Sequence, residues 1–528
     1  MAPYAFRGKD LYADGESDRA YRKSVVPSRP LSDSGITEGI LMNWDTLLYI
    51  IPFIGRRRDL SRYMKTCRVL YNAGTPALLK DKVIVGYFPD RTLSFCQFIL
   101  NQPERALWVR SLELCVPPSQ LGKGPSIISA MADVIGRCKN VENLRLPGLS
   151  SIANKEELAN AIMSLRNLRR IHCTLNRGDI RGPGLLQKLY SPSLVSAAIE
   201  YGPASEEDSC WTVDTLTSFK DHLCTLKILN ADILQPNTRI VYPEVRCIYM
   251  DSSAASFISD HLAASFPNIR HLHWECYGLG GEEATQIRLT NLQQRNATAH
   301  ASWAWKSLDV LQASLLRIYS MALTCKVRFL ESVILADPYT LPYFRTVLMD
   351  ISPSHVTLVI YPSYFSNDEL SELFPQCPIT HLSVVFFTST VDRNDVQNRL
   401  SLLVNNLRGL ALVYFDISIT YLLSESSYAR SAGPILLRGT STTADTYLEA
   451  GNLVNVARDV VRSSPDLETV YISVDHDLEC VKVDRAWRVE RPKKEEGRLV
   501  ELNLSKEQIQ KIHEGVFGID ASLCWSDL

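Results

Sequence analysis

The side chains in this sequence that come closest to a chemical site are those of His271-Leu-His-Trp-Glu275. Successive side chains of a strand alternate between its faces, which puts His271, His273 and Glu275 together and Leu272 and Trp274 opposite them. Two imidazoles and a carboxylate on one face could hold a metal ion. On the solvent side of a strand the same three serve equally as contacts for a partner, and that is the reading taken, with no metal and no cofactor expected. The motifs of catalysis do not occur: there is no G-x-x-x-x-G-K, no H-E-x-x-H and no G-x-S-x-G followed by suitable partners. No enzymatic activity is therefore expected.

Composition narrows the field further. At 528 residues the chain needs several domains or one repeat array. A hydrophobic share of 46%, a charged share of 22% and a formal charge of -2 suit a globular protein with no general electrostatic reason to bind nucleic acid or an anionic membrane. The apolar run Leu47 to Ile54 is interrupted by Tyr49 and Pro52 and falls short of the roughly 18 to 20 residues of a membrane span. Residues 1–38 are polar throughout and read as a disordered tail rather than a secretory signal. The 13 cysteines are odd in number and never spaced C-x-x-C, and Cys115, Cys173, Cys224 and Cys247 sit in apolar segments. Reduced thiols in the cytoplasm or nucleus are expected.

The elements that would carry such side chains show in a recurring spacing: an apolar residue, two variable ones, an apolar residue, one variable and another apolar residue. It fits Val109/Leu112/Leu114, Val141/Leu144/Leu146, Leu168/Ile171/Cys173, Leu194/Ala197/Ile199, Leu223/Leu226/Ile228, Val245/Ile248/Met250 and Ile269/Leu272/Trp274. It continues at Leu308/Leu311/Ala313, Leu330/Val333/Leu335, Pro353/Val356/Leu358, Ile379/Leu382/Val384, Leu407/Leu410/Leu412, Leu467/Val470/Ile472 and Leu499/Leu502/Leu504. First positions at 141, 168, 194, 223, 245 and 269 lie 22 to 29 residues apart, the period of a solenoid. Between the triplets run helical spacings, such as Leu158, Ile162 and Leu165 or Leu453, Val456 and Val460. One strand and one helix per unit resembles a leucine-rich repeat, which implies strands side by side on a concave face and helices outside. Wide gaps place insertions near 276–305 and 416–450.

Ahead of the repeats, residues 39–75 form a short, unusually apolar stretch. Leu47, Leu48 and Ile51 have helical spacing, Pro52 and Gly55 break it, and Leu60, Met64, Cys67 and Leu70 form a second run. Trp44-Asp-Thr-Leu-Leu-Tyr-Ile-Ile, Arg57-Arg-Asp-Leu-Ser-Arg-Tyr-Met and Thr66-Cys-Arg-Val-Leu-Tyr together resemble an F-box, although Met42-Asn43 stand where many F-boxes have Leu-Pro. The whole order is similar to the F-box and leucine-rich-repeat proteins of which fungi carry a large set. That resemblance implies an α/β chain: a tail over 1–38, a three-helix F-box over 39–76, an irregular leucine-rich-repeat solenoid over 77–505 with parallel strands and outer helices, and a C-terminal tail or cap over 506–528. It implies a substrate-recognition subunit of a cullin-RING ubiquitin ligase, with no catalysis of its own. Trp44, Leu47, Leu48, Ile51, Leu60, Met64, Cys67 and Leu70 would then divide between a small core and a face for the Skp-family adaptor, and through it cullin. The alternative is a repeat scaffold whose F-box-like helices only cap the solenoid. Arg56, Arg57, Arg58, Arg62, Lys65 and Arg68 around them read as a solvated face.

Alternation also places a candidate recognition strip. With Val356, Leu358 and Ile360 facing the core, Val359 and Tyr361, then Val385 and Phe387, then Val413 and Phe415 face the concave side of three neighbouring strands. Tyr361, Phe387 and Phe415, with His271 and His273, are the expected contacts for a protein target.

Overall fold

Apolar residues three and four positions apart bury one stripe of a helix, and those two apart bury one face of a strand. The computed structural model of the chain contains both kinds of element and describes residues 43–86, 88–115, 125–176, 180–202, 213–230, 240–251, 259–275, 282–300, 304–388, 393–421, 450–476, 482–490 and 498–502, with the isolated positions 508 and 511. The expected tails at 1–38 and 506–528 otherwise lie outside these residues. Contacts divide the chain into two units, one ending at Asp81 and one beginning at Lys82.

In the first unit, α1 (Trp44–Ile50) is opened by Asn43, whose side chain accepts from the Asp45 N–H at 3.2 Å. Pro52 cannot continue the helix, and Ile51–Phe53 close as a 3-10 turn. Two more helices follow, α2 (Arg57–Met64) and α3 (Arg68–Lys80). The Cys67 Sγ caps α3 by accepting from the Leu70 N–H at 3.5 Å. Helix α3 continues from the expected boundary at 76 to Lys80, because Leu79 is still buried and holds the last turn down. Ile51, Leu60, Met64 and Leu70 form the core, and the Tyr63 hydroxyl donates to the Leu47 carbonyl at 2.9 Å, tying α2 to α1. A Cβ at Gly74 would lie 2.5 Å from Met64 Cγ, so α2 and α3 meet at a residue without a side chain.

The second unit alternates strand and helix. It begins β1 (Val83–Val85), α4 (Pro89–Leu100), β2 (Ser111–Leu114), α5 (Pro125–Arg137), β3 (Asn143–Leu146), α6 (Leu149–Ala153), α7 (Glu156–Met163), β4 (Arg170–Leu175), α8 (Arg181–Lys188) and β5 (Ser196–Tyr201). Next come β6 (Thr225–Leu229), β7 (Cys247–Asp251), α9 (Ser259–Ser265), β8 (His271–Glu275), α10 (Glu282–His300), β9 (Ser307–Ala313), α11 (Leu315–Met321) and β10 (Lys326–Leu335). Last are α12 (Leu341–Ile351), β11 (His355–Ile360), α13 (Asn367–Ser371), β12 (His381–Thr388), α14 (Arg393–Asn406), β13 (Tyr414–Tyr421), α15 (Ala450–Ser463), β14 (Thr469–His476), β15 (Lys482–Glu490) and β16 (Arg498–Leu502). Among the described residues sixteen strands form one sheet in strict chain order, a mixed α/β and solenoid-like arrangement in which each strand pairs with its sequence neighbours.

The triplet residues make this sheet because no single strand and helix can hide them. Val141, Leu144 and Leu146, like Leu168, Ile171 and Cys173, are at most 2% exposed, and each buried aliphatic side chain contributes roughly 1.5 to 3 kcal/mol. Stacking is continued by the backbone, since the Glu142 N–H donates to the Arg110 carbonyl, Arg169 to Glu142, Val195 to Arg169 and Cys224 to Val195, at 2.7 to 3.0 Å. One residue ahead of three first positions, Asn140, Asn167 and Asn268 donate side-chain amide protons to the preceding repeat, at the carbonyls of Leu107, Lys139 and Pro243.

Three expectations are corrected, and a fourth lies largely outside the described residues. The strand expected at Leu407/Leu410/Leu412 begins later: Leu407–Gly409 is a 3-10 turn, and the strand uses Leu412, Phe415 and Ile417, which fit the same spacing. The stretch 276–305, expected as an insertion, contains α10, where Asn296 donates to the Ser320 carbonyl at 2.7 Å and His300 Nε2 lies 3.0 Å from the Met321 carbonyl. Those contacts fall on carbonyls at the C-terminal end of α11, where a helix has no intrahelical donors to offer, which makes α10 part of the repeat packing. Of the second expected insertion, 416–421 belong to β13 and 422–449 lie outside the described residues. Finally, the array is not parallel throughout: β15 and β16 are antiparallel, since the connection 477–481 is too short for the dozen residues a parallel crossover takes.

Candidate functional site

The eight side chains expected to meet an adaptor are sorted by the first unit into three groups. Ile51, Leu60, Met64 and Leu70 are its core and leave no surface for a partner. Leu47, Leu48 and Cys67 are half-buried against that core, and Trp44 is exposed. The sequence reading missed two bare aromatic side chains, Tyr49 and Phe53, which are 70% and 67% exposed with ring centroids 5.2 Å apart. Their signal was present: aromatic residues within the apolar run beyond what α1 can turn inward. Arg56, Arg57, Arg58, Arg62, Lys65 and Arg68 are all exposed, with Arg62 3.6 Å from Asp59.

In the second unit burial alternates along the strands, and the residues turned away from the core form the open face of the sheet. Register places Ile334, Val359 and Val385 side by side on β10, β11 and β12. A bulge at Ser332, whose φ is 57°, turns Ile334 to this face, where it is 55% exposed. One step further along, the half-buried rings of Tyr361 and Phe387 stack at 4.9 Å with 14° between their planes, and the exposed Tyr364 ring lies 6.3 Å from Tyr361. Burial and the neighbouring Tyr364 push the Tyr361 hydroxyl up from its ordinary value. An apolar patch with an aromatic edge thus spans three strands.

Phe415 is not part of it. It is 0% exposed and pairs with the core residue Leu382, while Asp416, Ser418 and Thr420 continue the open face beside Ser383, Val385 and Phe387. The shift of β13 along the chain changes its parity, and a strand displaced by an odd number of residues exchanges its faces.

His271, His273 and Glu275 do share the open face, with Leu272 and Trp274 buried. His273 Nε2 lies 3.1 Å from Glu275 Oε1, and its ring stacks on Tyr249 at 4.3 Å. On the strand beyond, the Lys227 ammonium lies 4.7 Å from the Tyr249 ring centroid. Burial pulls both histidines below the ordinary imidazole range, His273 despite the opposing pull of Glu275. Asp251, in register with Glu275, is pushed up by burial and by that carboxylate, and Lys227 is pulled down by burial against the attraction of Glu275, Asp251 and Glu200. Three of the four carboxylate and ammonium groups gathered here are acidic, which suits a polar contact surface. Among the described residues no group of three or more His, Cys, Asp or Glu side chains is placed to hold a metal ion.

Nearer the first strand, Glu113 receives Lys82 Nζ at 2.5 Å and the Cys115 thiol at 3.1 Å, with Arg145 at 3.8 Å. Burial raises its carboxyl, but these donors outweigh it and hold the group below the usual carboxylate range. It is a filled ion cluster rather than a vacant site. The apolar patch on β10 to β12 is the more open of the two surfaces. Among the described residues no helix is long and apolar enough to cross a membrane. No protein-family model matches the chain, and no curated protein matches it.

Proposed function

We propose that the chain is a target-recognition subunit of a cullin-RING ubiquitin ligase, working in the cytoplasm or nucleus. The helical unit up to Asp81 docks a Skp-family adaptor, and through it cullin, while the open face of the sheet holds a target protein. The observation that carries this reading is the pairing of a small separate helical unit that shows Trp44, Tyr49 and Phe53 to solvent with a long sheet that shows Tyr361 and Phe387. A unit so small has no internal use for three bare aromatic rings, and such exposed groups favour a partner. Burying each would contribute about 1.5 to 3 kcal/mol, enough together to offset part of the roughly 4 to 15 kcal/mol cost of association.

The chain itself would break no bond. It would hold a target lysine near a charged conjugating enzyme and raise the effective concentration of the reacting groups. The test is capture of a Skp-family adaptor by the tagged full chain, compared with Tyr49→Asp plus Phe53→Asp. Both positions are exposed, so the variant keeps its fold. Adaptor recovered with the wild type and lost with the variant is the expected result; no capture, or equal capture by both, sinks the reading.

A further inference from the structure

On the open face, at the start of strands β10 to β13, lies a ladder of four rings: Phe329, His355, His381 and Tyr414, in register on consecutive strands. Its centre is a pair of imidazoles, His355 and His381, with centroids 4.0 Å apart and planes 4° from parallel. Phe329 meets His355 edge-on at 6.3 Å, and Tyr414 lies 6.1 Å beyond His381. His355 is buried and His381 half-buried.

Each ring is held at Nδ1 by the hydroxyl of the residue before it. The Ser354 hydroxyl donates to the Arg328 carbonyl at 3.0 Å and lies 2.9 Å from His355 Nδ1. In the next repeat the Thr380 hydroxyl donates to the Ser354 carbonyl at 3.1 Å and lies 2.8 Å from His381 Nδ1. Each hydroxyl can give its proton to the carbonyl and accept from the ring, or give it to Nδ1, so each neutral imidazole keeps one nitrogen open to a further proton. That further proton makes the ring a cation. Two such cations would face each other across the 4.0 Å stack, where like charges oppose ionisation.

The charges that act on His381 are of both signs. Burial pulls His381 below the ordinary imidazole range, Arg328 of β10 adds a positive charge against it, and Glu468, ahead of β14, opposes them. On the flanking strands, Glu331 of β10 is itself pushed up by burial, and Asp416 of β13 accepts from the Ser383 hydroxyl at 2.7 Å. Burial holds the Tyr414 hydroxyl far up, so it stays neutral. Lys326 stands earlier on β10, and Arg488 lies on β15 in the same row through Thr469.

We infer that the stacked pair His355–His381 is an acid-sensitive latch: closed and neutral at physiological pH, it opens when protonated and loosens β11, which leads into Tyr361, and β12, which carries Phe387. The latch stands on the ladder alone and holds whether or not the aromatic patch binds a target.

Amide hydrogen exchange of the full chain, corrected for intrinsic rates, tests it at about pH 7.5 and about pH 5.5. Peptides covering 355–360 and 381–388 should lose more protection than those covering 125–146, since a group protonated more readily in the opened chain draws the equilibrium toward opening as pH falls. His355→Asn plus His381→Asn keeps an amide donor for each hydroxyl and cannot titrate, so it should remove the difference. Should that variant not fold, His381→Phe keeps a ring between His355 and Tyr414, leaves one titrating group and should shrink the difference. An equal loss in both regions of the wild type, or an undiminished difference in a folded variant, overturns the latch.

Discussion

Phe387 and Phe415 are both aromatic residues of adjacent strands, yet serine at the two positions has opposite consequences. Phe387 lies half-buried on Tyr361, and Phe415 is 0% exposed in the core. Tyr361→Ser plus Phe387→Ser should leave thermal unfolding close to that of the wild type while reducing target capture by about tenfold or more, as expected when anchoring rings are lost. Phe415→Ser should cost about 3 to 5 kcal/mol of stability, read from denaturant unfolding, because it empties a packed site and buries a hydroxyl. His271 and His273 give a pH dependence at the same scale. Burial pulls both below the ordinary value of 6.5, so on acidification the unfolded chain takes up protons first. Stability is therefore full above about pH 6.5 and declines as pH falls through the folded values. His271→Gln plus His273→Gln should flatten that part of a Tm-against-pH curve.

At the scale of elements, two backbone positions control how strands and helices meet. Helices α2 and α3 touch at Gly74, where even a Cβ would lie 2.5 Å from Met64 Cγ. Gly74→Val should destabilise the first unit by about 1 to 3 kcal/mol through overpacking, with adaptor capture falling in parallel. The bulge in β10 holds Ser332 at a φ of 57°, a region that glycine enters freely and β-branched residues avoid. Ser332→Gly should leave Tm unchanged or slightly raised, and Ser332→Val should lower stability by about 1 to 3 kcal/mol. Since the bulge also turns Ile334 to the open face, the valine variant should weaken target capture as well.

At the scale of the whole molecule, the division at Asp81 and Lys82 separates the two proposed activities. Affinity capture with the full chain and with residues 82–528, followed by protein identification, should show adaptor and cullin only with the former and the same target proteins with both. Targets that disappear with residues 1–81 would place recognition outside the sheet.

How far the sequence reached follows from the range of its signals. The apolar spacing of three then two, repeated at 22 to 29 residues, determined that strands and helices alternate and which side chains they bury; Leu144 and Leu146 or Ile171 and Cys173 are core because a short strand has no other way to hide them. The face shared by His271, His273 and Glu275 was legible for the same local reason. Only the tertiary structure decided which of two overlapping spacings, Leu407/Leu410/Leu412 or Leu412/Phe415/Ile417, becomes β13, since both satisfy the pattern and pairing with β12 selects one. It likewise decided which apolar residues of α1 stay in solvent, that the array ends in antiparallel strands, and that His355 and His381 meet face to face. Burial of a periodic side chain is fixed by its neighbours along the chain, whereas register and ring stacking depend on residues a repeat away, whose alignment exists only once the strands have paired.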